Sequence, residues 1–543
     1  MIDSIAYIIL SVSIIFFSFR RLLRYLHVYQ QDEYKSGRFT KWIFSTSSFD
    51  KKTSLAILAV DIIVLAASHF IEQDIIPLWT ARLVCAGIFI YMGKREVDPR
   101  VNAKKKLVMT QRATRVFNIA FLLAFAMGVG MVLLQIPIYL IVAVQFIPVT
   151  LMLSNMMLMP YESYVQRGII KEAKENLKLI NPMVIGITGS FGKTSVKHIL
   201  GHILKVNSNV AFTPGTVNTL MGVSRVIRED LSPNTKYFIV EMGAYGRGSV
   251  EKMCNLASPK MGVITALGEA HLERFKSLDN IAKAKFELAQ AVIANGDNKI
   301  VVGENVLEQE YARSFVNEHR EKFIICGFKE DSDLRILSIN QLVNGVNTEI
   351  EYMGQKYSLK SPLYGKAHGI NMATGFAAAM QCGIAPEKII LALQTLPSIQ
   401  HRLAVIPQED GTIYIDDAYN SNQTGFENAI EVLDMLGREK KGRRILVSPG
   451  IIELGEKSYE VHKEIGIKAA KCVDILIVIR ADRLKGLGDG FKEGGAIENG
   501  KTLLTMDTFA EAVQWLRSNL RAPDVYLVEN DLIDLTESKG LDL

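Results

Sequence analysis

A short apolar run, Met183 to Thr188, leads into residues 188–195, which read Thr188-Gly189-Ser190-Phe191-Gly192-Lys193-Thr194-Ser195. Glycines let a loop wrap around a phosphate group, and the amide groups at the start of the following helix point towards it. Lys193 adds a positive charge, and the Thr194 hydroxyl can bind Mg²⁺. The longer pattern G-x-x-x-x-G-K-[ST] is not met, because Ile187 replaces its first glycine. The strand–loop–helix context still predicts a nucleoside triphosphate site over residues 188–195.

After this loop, short runs rich in valine and isoleucine alternate with helical stretches. They are Tyr237 to Met242, Met261 to Thr265, Lys299 to Val302, Ile413 to Asp417, Ile445 to Val447, Ile475 to Ile479 and Val525 to Val528. This alternation predicts an α/β fold built on mostly parallel sheets. Leu396 to Gln400 separates two blocks of ordinary domain size. We therefore expect a central P-loop domain over residues 181–398 and a smaller Rossmann-like C-terminal domain over residues 399–543.

The N-terminal part of the chain has a different character. Apolar runs of bilayer-spanning length recur at Ile2 to Phe19, Leu55 to Ile71, Leu78 to Met92, Phe117 to Leu134 and Ile136 to Met159. They predict a bundle of about five transmembrane helices over residues 1–160, followed by an amphipathic linker helix over residues 161–180. A cleaved signal peptide is the alternative for the first run, but no charged segment precedes it and four more runs follow.

Basic residues give these helices an orientation. Lysines and arginines are frequent between the first and second runs and between the third and fourth, whereas the turns near Glu72 to Pro77 and at Gln135 contain none. Under the positive-inside rule, this alternation places the N-terminus outside and everything after Met159 in the cytoplasm. The sequence thus predicts a multi-pass protein of the cell membrane with membrane lipid as a partner.

Composition excludes several classes of protein. The chain has 543 residues, of which 49% are hydrophobic and 22% charged, with a formal net charge of +5. This length is too large for one small binding module, and the charged fraction is too high for a chain that lies wholly in a membrane. The net charge does not indicate a nucleic-acid partner. Five scattered cysteines without a C-x-x-C pair exclude a disulfide scaffold and a cysteine-built zinc site.

Further motifs follow the loop in a fixed order. They are Thr213-Pro214-Gly215-Thr216-Val217-Asn218, Glu241-Met242-Gly243-Ala244, Ala270-His271-Leu272-Glu273, Ala282-Lys283-Ala284-Lys285, His368-Gly369-Ile370-Asn371, His401-Arg402-Leu403, Asp416-Asp417-Ala418-Tyr419-Asn420-Ser421-Asn422 and Glu453-Leu454-Gly455. With these motifs the chain resembles the Mur ligase family from about Ile180 to Leu543, and within it the branch that adds D-alanyl-D-alanine to a UDP-N-acetylmuramoyl tripeptide. The resemblance does not extend to residues 1–160.

The resemblance implies an ATP- and Mg²⁺-dependent ligase that joins a carboxylate to an amine through an acyl phosphate. Such an enzyme must neutralise the triphosphate and the transferring phosphoryl group. By resemblance, Lys193 stabilises the phosphoryl charge, and Thr194, Glu241 and His271 hold Mg²⁺. Lys285 matches a lysine that is carbamylated in many relatives and would then support a second ion. The alternative is an unmodified Lys285 on a solvated helix face.

The remaining site residues are also implied by resemblance. Asn371 matches a residue on the adenine side of ATP, and Arg402 and Asp417 match groups that meet ATP when the C-terminal domain closes. Asn218, Tyr419 and Asn422 are the candidate substrate-binding residues. Closure of that domain would exclude water from the acyl phosphate.

The chain departs from the family pattern in three places. Gln423 follows Asn422 where proline is expected, and Val528-Glu529-Asn530-Asp531-Leu532 replaces a segment of Lys-Gly-Ser-Arg type that helps to select the amine. Transmembrane helices also replace the family's UDP-binding domain. One hypothesis is therefore a ligase that adds D-alanyl-D-alanine, or another amino acid or dipeptide, to a muramoyl peptide or a lipid-linked precursor.

Two other hypotheses remain open. The first is a membrane-bound synthase of poly-γ-glutamate type, which would act on a polyanionic acceptor. The second is a membrane scaffold or transporter driven by ATP. The absence of visible inverted repeats and the full set of ligase motifs both weigh against a transporter.

Overall fold

The computed structural model describes residues 2–46, 48–70, 78–101, 106–134, 138–268, 275–295, 299–418, 422–451, 454, 457–480 and 484–530, with only the backbone for residues 67–70 and 78. The described residues form two compact units, one within Met1–Val165 and the other within Gln166–Asp531. Each unit is built on its own hydrophobic core.

The first unit is helical. Its helices are α1 Ile2–Gln31, α2 Ser36–Ser45, α3 Lys51–Phe70, α4 Leu78–Arg95, α5 Gln111–Leu133 and the part of α6 Ile138–Ile180 up to Val165. Helix α6 is continuous over 43 residues, through Pro148 and Pro160. It contains the predicted linker and the described part of the last predicted span.

The number of candidate membrane spans is smaller than predicted. Among the described residues, three helices are long and apolar enough to cross a membrane, namely α1, α5 and α6. Helix α4 carries Arg82, Lys94 and Arg95 within its 18 residues, so its charge is high for a span. The second predicted run, Leu55 to Ile71, extends beyond the described side chains, which end at residue 66 in α3. The described part of the chain therefore supports three of the about five predicted spans, and α4 does not qualify.

A buried ion-pair cluster joins three helices of this unit. The Arg21 guanidinium lies 2.7 Å from Asp50 and 2.6 Å from Glu96, and all three side chains are at most 3% exposed. Arg24 adds a second contact to Glu96, at 2.8 Å. Removing one partner from such a cluster leaves a buried charge without compensation. The cluster therefore fixes the start of α3 and the end of α4 against α1.

The larger sheet of the second unit has the order β2-β3-β1-β4-β5-β6-β7-β8-β9 in the described part of the chain. Its strands are β1 Met183–Thr188, β2 Val210–Phe212, β3 Tyr237–Glu241, β4 Met261–Ile264, β5 Ile300–Gly303, β6 Phe323–Gly327, β7 Leu334–Leu342, β8 Gly345–Tyr352 and β9 Gln355–Ser361. Neighbouring strands from β2 to β7 pair in parallel, and the pairings β7–β8 and β8–β9 are antiparallel.

Seven α-helices accompany this sheet in the described residues. They are α7 Lys193–Lys205, α8 Leu220–Glu229, α9 Ser249–Ala257, α10 Leu278–Asn295, α11 Glu310–Glu318, α12 Lys366–Gln381 and α13 Pro386–Gln394. Two short 3₁₀ helices, Glu304–Glu308 and Arg320–Lys322, lie between β5 and β6. Apolar cores on the two sides of the sheet explain why its central strands are continuous apolar runs.

The second sheet has the order β10-β11-β15-β12-β13-β14. Its strands are β10 Ala404–Pro407, β11 Ile413–Asp417, β12 Arg444–Ser448, β13 Ile475–Ile479, β14 Thr502–Met506 and β15 Val525–Glu529. Only β10 is antiparallel to its neighbour among these described strands. The accompanying helices are α14 Gln423–Lys440, α15 Ser458–Cys472, α16 Lys485–Glu493 and α17 Phe509–Asn519. The predicted α/β class with mostly parallel sheets is confirmed.

Strand β1 places the phosphate-binding loop at the centre of the larger sheet. It pairs in parallel with β3 on one side and β4 on the other, and its last five residues are buried. Carboxyl ends of parallel strands lie at the same edge of a sheet, where ligands bind in open α/β folds. Thr188, Glu241 and Thr265 therefore come together at or just beyond the ends of β1, β3 and β4.

Candidate active site

The loop between β1 and α7 requires its two glycines. Gly189 has φ +154° and Gly192 has φ +81°, in the range that side chains disfavour. A Cβ at Gly192 would lie 2.6 Å from Asn371 Oδ1, and a Cβ at Gly189 would lie 2.0 Å from Thr265 Oγ1. The loop is thus closely packed against two polar side chains, one of which, Asn371, is a predicted ATP-binding residue.

Residues that follow β4 hold the loop in place. The backbone amide of Ser190 donates to the carbonyl of Ala266 at 2.6 Å, and the amide of Gly268 donates to Ser190 Oγ at 3.1 Å. The Thr265 hydroxyl lies within hydrogen-bond distance of the carbonyls of Thr188 and Phe191. The loop is therefore preorganised, with the start of α7 available to an anion.

Lys193 lies folded against the same loop. Its Nζ donates to the carbonyls of Gly189, at 2.8 Å, and Ser190, at 3.1 Å. The pKa of Lys193 is lowered to about 8, chiefly by burial; Glu241 opposes this shift, and the charges of Arg402 and Lys197 add to it. To meet a phosphate, the ammonium group has only to exchange two carbonyl oxygens for phosphate oxygens.

Glu241 is the centre of a polar network at the end of β3. Its Oε2 accepts from Thr194 Oγ1 at 3.0 Å and from Lys197 Nζ at 2.9 Å, and its Oε1 accepts from Asn218 Nδ2 at 3.2 Å. The residue is 1% exposed. Burial alone would raise the pKa of Glu241, but the Lys197 and Lys193 ammonium groups outweigh it and lower the pKa below its usual value. Glu241 is therefore an anion in the folded protein.

Thr194 and Glu241 fit a Mg²⁺ ion by their chemistry. A hydroxyl and an anionic carboxylate lie within hydrogen-bond distance at the start of α7, and hard oxygen donors of this kind are those that Mg²⁺ prefers. His271, the third predicted ligand, lies outside the described residues. Within the described residues there is no group of three or more His, Cys, Asp or Glu side chains that could hold a metal ion.

Lys285 lies on α10 and is 4% exposed, so it does not occupy a solvated helix face. It lines one cavity together with Lys193, Asn218, Tyr245 and Phe275. Burial, with a contribution from the charge of Lys193, lowers the pKa of Lys285 well below its usual value. A neutral amine next to the phosphate-binding loop is a nucleophile, which an exposed lysine at neutral pH is not.

Residues near the second sheet also reach this site. The Arg402 guanidinium is close enough to Lys193 and Lys197 to lower the pKa of both. His368 at the start of α12 donates from Nε2 to the carbonyl of Arg402 at 3.1 Å, and burial lowers the pKa of His368 to about 4. Asp417 accepts from the backbone amide of Leu403 at 3.1 Å. Arg402 therefore lies near the phosphate-binding loop, as Asn371 does, and Asp417 binds the residue that follows Arg402.

Two of the three predicted substrate-binding residues have described side chains. Asn218 Nδ2 donates to Glu241, and Asn218 Oδ1 accepts from the Tyr245 hydroxyl at 2.8 Å. Asn422 caps helix α14, because its Oδ1 accepts from the amide of Gly425 at 2.9 Å. Tyr419 lies outside the described residues. The structure therefore brings Asn218 to the loop, whereas the Asn422 oxygen is occupied by a helix cap.

Sequence reasoning did not identify two residues of this site. Lys197 is fully buried against Glu241, and Tyr245 lines the same cavity as Lys285. The signal for Lys197 was its spacing, since it follows Lys193 by four residues and so shares its helix face. Tyr245 directly follows the Glu241-Met242-Gly243-Ala244 motif, but nothing in the sequence showed that its hydroxyl meets Asn218.

At the end of β15, where the sequence differs from the family pattern, two carboxyl groups lie side by side. Glu529 belongs to the segment that departs from the family pattern, is 0% exposed, and is paired in register with Asp417 of β11. A hydrogen bond joins the two side chains. Burial raises the pKa of Asp417 to about 7, although Arg402 opposes that rise. Two adjacent carboxyl groups cannot both ionise readily, so the pair shares a proton.

We expect the Glu529→Gln variant to change the pH dependence of stability. A carboxyl group whose folded-state pKa is raised contributes stability that is fully present below the unfolded pKa of about 4 and is lost as pH rises. The stability that the Asp417 carboxyl group contributes is completely lost only above its folded-state pKa of about 7. A glutamine amide donates to Asp417 without titrating. The variant should melt progressively higher than the unaltered protein between pH of about 5 and about 8, as measured by thermal unfolding. A constant difference, like that expected for exposed Glu498→Gln, would contradict the shared proton.

A glycine-rich strand–loop–helix phosphate site at the edge of a parallel sheet defines an α/β protein of the P-loop class. Comparison with known families extends this assignment. Residues 187–379 match the Mur ligase middle domain, and residues 401–529 match the Mur ligase glutamate ligase domain. The chain therefore belongs to the Mur ligase family.

Two curated relatives share one name. The chain is 29% identical over 294 residues to the UDP-N-acetylmuramoyl-tripeptide–D-alanyl-D-alanine ligase of Bacillus subtilis, covering 54% of this chain and 62% of the relative. It is 28% identical over 322 residues to the protein of that name from Escherichia coli, covering 58% of this chain and 69% of the relative. The match thus spans about two thirds of these relatives.

Solved structures have the same fold. The MurF ligase of Thermotoga maritima in complex with ADP superimposes with a TM-score of 0.55 at 25% identity, covering 68% of this chain and 82% of that one. A crystal structure of MurF from Acinetobacter baumannii gives a TM-score of 0.56 at 23% identity, covering 67% of this chain and 77% of that one. The latter shows likeness of fold alone.

Proposed function

We propose that this protein is an ATP-dependent ligase that joins a carboxylate to an amine and releases ADP and phosphate. Its substrates would be a muramoyl peptide and D-alanyl-D-alanine, or a related amine, in the synthesis of peptidoglycan precursors. The observation that supports this best is the meeting of Lys193, Thr194 and Glu241 at the loop, with Lys285 in the adjoining cavity. The matched relatives are named as ligases of this substrate pair.

The proposed reaction has two steps. A substrate carboxylate oxygen attacks the γ-phosphorus of ATP, so that ADP leaves and an acyl phosphate forms. The amine then attacks the acyl carbon, phosphate leaves, and the new amide loses a proton. Mg²⁺, held by Thr194 and Glu241, would neutralise charge on the triphosphate.

The protein's own groups would act mainly by position and charge. The loop amides and Lys193 would bind the phosphates, and Asn371 beside Gly192 would contact the nucleoside. Arg402 would add positive charge from the side of the second sheet. Lys285 would act as a carbamate, because an amine held neutral by burial reacts with carbon dioxide.

We further propose that the protein lies in the cell membrane with its ligase domains in the cytoplasm and its N-terminus outside. Three apolar helices support this location, and the alternation of basic residues between the apolar runs supports the orientation. In intact cells, a reporter tag inserted at residue 30 or after residue 160 should be inaccessible to an external probe, whereas a tag at the N-terminus should react. An externally labelled tag after residue 160 would contradict the proposal.

The ligase proposal is tested by ADP release from the purified full-length protein. Muramoyl peptides, with and without a lipid carrier, are crossed with D-alanyl-D-alanine, single amino acids and glutamate. We expect ADP release only when an acid and an amine are present together, with the product identified by mass spectrometry. Extension of a glutamate polymer would instead favour the poly-γ-glutamate alternative. ADP release that does not depend on any acid and amine would contradict a ligase.

A further inference from the structure

Lys197 is a buried cation that the ligase scheme does not use. It lies on α7 one turn after Lys193, and its side chain is 0% exposed. Its Nζ donates to Glu241 Oε2 at 2.9 Å and to the carbonyl of Gly215 at 2.5 Å. A buried lysine persists only when its charge is paired and hydrogen-bonded, and these two contacts supply both.

The two contacts link three parts of the site. Gly215 belongs to the segment 213–218, which also carries Asn218, and the amide of Glu241 donates to Thr213 Oγ1 at 3.1 Å. Asn218 returns to Glu241 through its own Nδ2 at 3.2 Å. Lys197 therefore ties the helix after the loop, the end of β3 and the 213–218 segment to a single carboxylate.

Lys197 also shares one carboxylate oxygen with Thr194. Both side chains donate to Glu241 Oε2, at 2.9 Å and 3.0 Å. A cation bound by Thr194 and Glu241 would therefore face the Lys197 ammonium group across the same oxygen. Like charges at such a separation repel, and the repulsion is stronger in a buried site than in water.

We propose that Lys197 is a positioning residue that holds Glu241 towards Thr194 and weakens the binding of a divalent cation there. The proposal rests on the proposed function, because it takes Thr194 and Glu241 as the cation ligands. Lys197 would thus make the site rigid and electrostatically balanced before the nucleotide enters. We therefore expect the divalent cation to bind more weakly but in the correct position. Weaker binding in the ground state favours stabilisation of the transition state relative to the ground state.

The test is Mg²⁺-dependent ADP binding by the purified full-length protein, measured by calorimetry without acid or amine. We expect Lys197→Met to lower the half-saturating Mg²⁺ concentration by about 3- to 10-fold, through loss of a like charge. Turnover at saturating Mg²⁺ should fall by at least about 10-fold, since Glu241 loses its anchor. Lys205→Met, at the exposed end of the same helix, serves as the matched control and should change neither quantity.

An unchanged Mg²⁺ requirement in Lys197→Met, with or without a lower melting temperature, would overturn the proposal, because a purely structural role predicts that result. If Lys197→Met does not fold, the same measurement is made on Lys197→Gln, whose neutral amide can still donate to the buried Glu241 carboxylate. An unchanged Mg²⁺ requirement in that variant would also overturn the proposal. Because the binding measurement uses no acid or amine, a negative result in the ligase assay does not alter its outcome.

Discussion

Replacement of Lys193 by alanine should lower ATP-dependent turnover by about a thousand-fold or more, the usual loss when a group that stabilises a transferring phosphoryl charge is removed. The structure explains the size of the effect. Lys193 Nζ already lies among the loop carbonyls, 2.8 Å from that of Gly189, so little movement separates it from a phosphate. Alanine keeps the backbone of the loop but removes the only positive charge that the loop sequence itself contains.

The measurement is ADP release by the purified variant with the acid and amine that the unaltered protein uses. Thermal unfolding and membrane extraction should be nearly unchanged, because Lys193 contacts loop carbonyls rather than the apolar core. Lys205→Ala, on the same helix but exposed at its far end, is the control and should keep its turnover. Turnover of Lys193→Ala within about twofold of the unaltered protein would exclude the phosphate site.

The sequence was most informative where strands are buried on both faces. The strands Met183–Thr188 and Ile475–Ile479 have the predicted bounds, because a strand covered on both sides is a nearly continuous apolar run. The antiparallel strands β8 and β9 were not predicted. Buried and partly exposed residues alternate along β8, so its sequence is half polar and lacks that signal.

The helical unit shows a different limit. Length and hydropathy alone predicted about five spans, whereas three helices qualify in the described part of the chain. Helix α4 is apolar over most of its length but carries three basic residues, Arg82, Lys94 and Arg95, which are more than a membrane-spanning helix of 18 residues usually contains. The predicted span Leu78 to Met92 contained the first of them.

The phosphate-binding loop could be predicted because its chemistry is local. Glycine conformation, the Lys193 charge and the Thr194 hydroxyl all depend on consecutive residues. The network around Glu241 could not be predicted, since Glu241 and its partners come from three separate segments that only the sheet order brings together. The same holds for Lys285, whose burial depends on how α10 packs against the sheet and on no feature of its neighbours in sequence.

Lys285→Ala should lower turnover by about 100-fold or more, if Lys285 carries a carbamate that supports the metal site. Acetate or propionate added to the variant should restore part of the activity by supplying the missing carboxylate in the cavity. The argument depends on burial. A carbamate forms only from a neutral amine, and burial near Lys193 lowers the pKa of Lys285 far enough for that form to be available. The resulting anion would also pair with the Lys193 charge, which an unmodified ammonium group would repel.

Lys283→Ala provides the matched control. Lys283 lies on the same helix two residues earlier, but its side chain is 35% exposed and paired with Asp279 at 2.7 Å, away from the cavity. It should keep its turnover and should not respond to acetate. Carbon-13 bicarbonate should label the unaltered protein and the Lys283 variant but not the Lys285 variant, as measured by NMR. Loss of activity in Lys285→Ala without rescue and without a labelled signal in the unaltered protein would mean that the free amine acts, as a neutral hydrogen-bond partner of the phosphates. Turnover alone does not distinguish a carbamate from a free neutral amine at Lys285, because burial disfavours the ammonium form in both cases. The bicarbonate experiment distinguishes them, because only a carbamate carries the label.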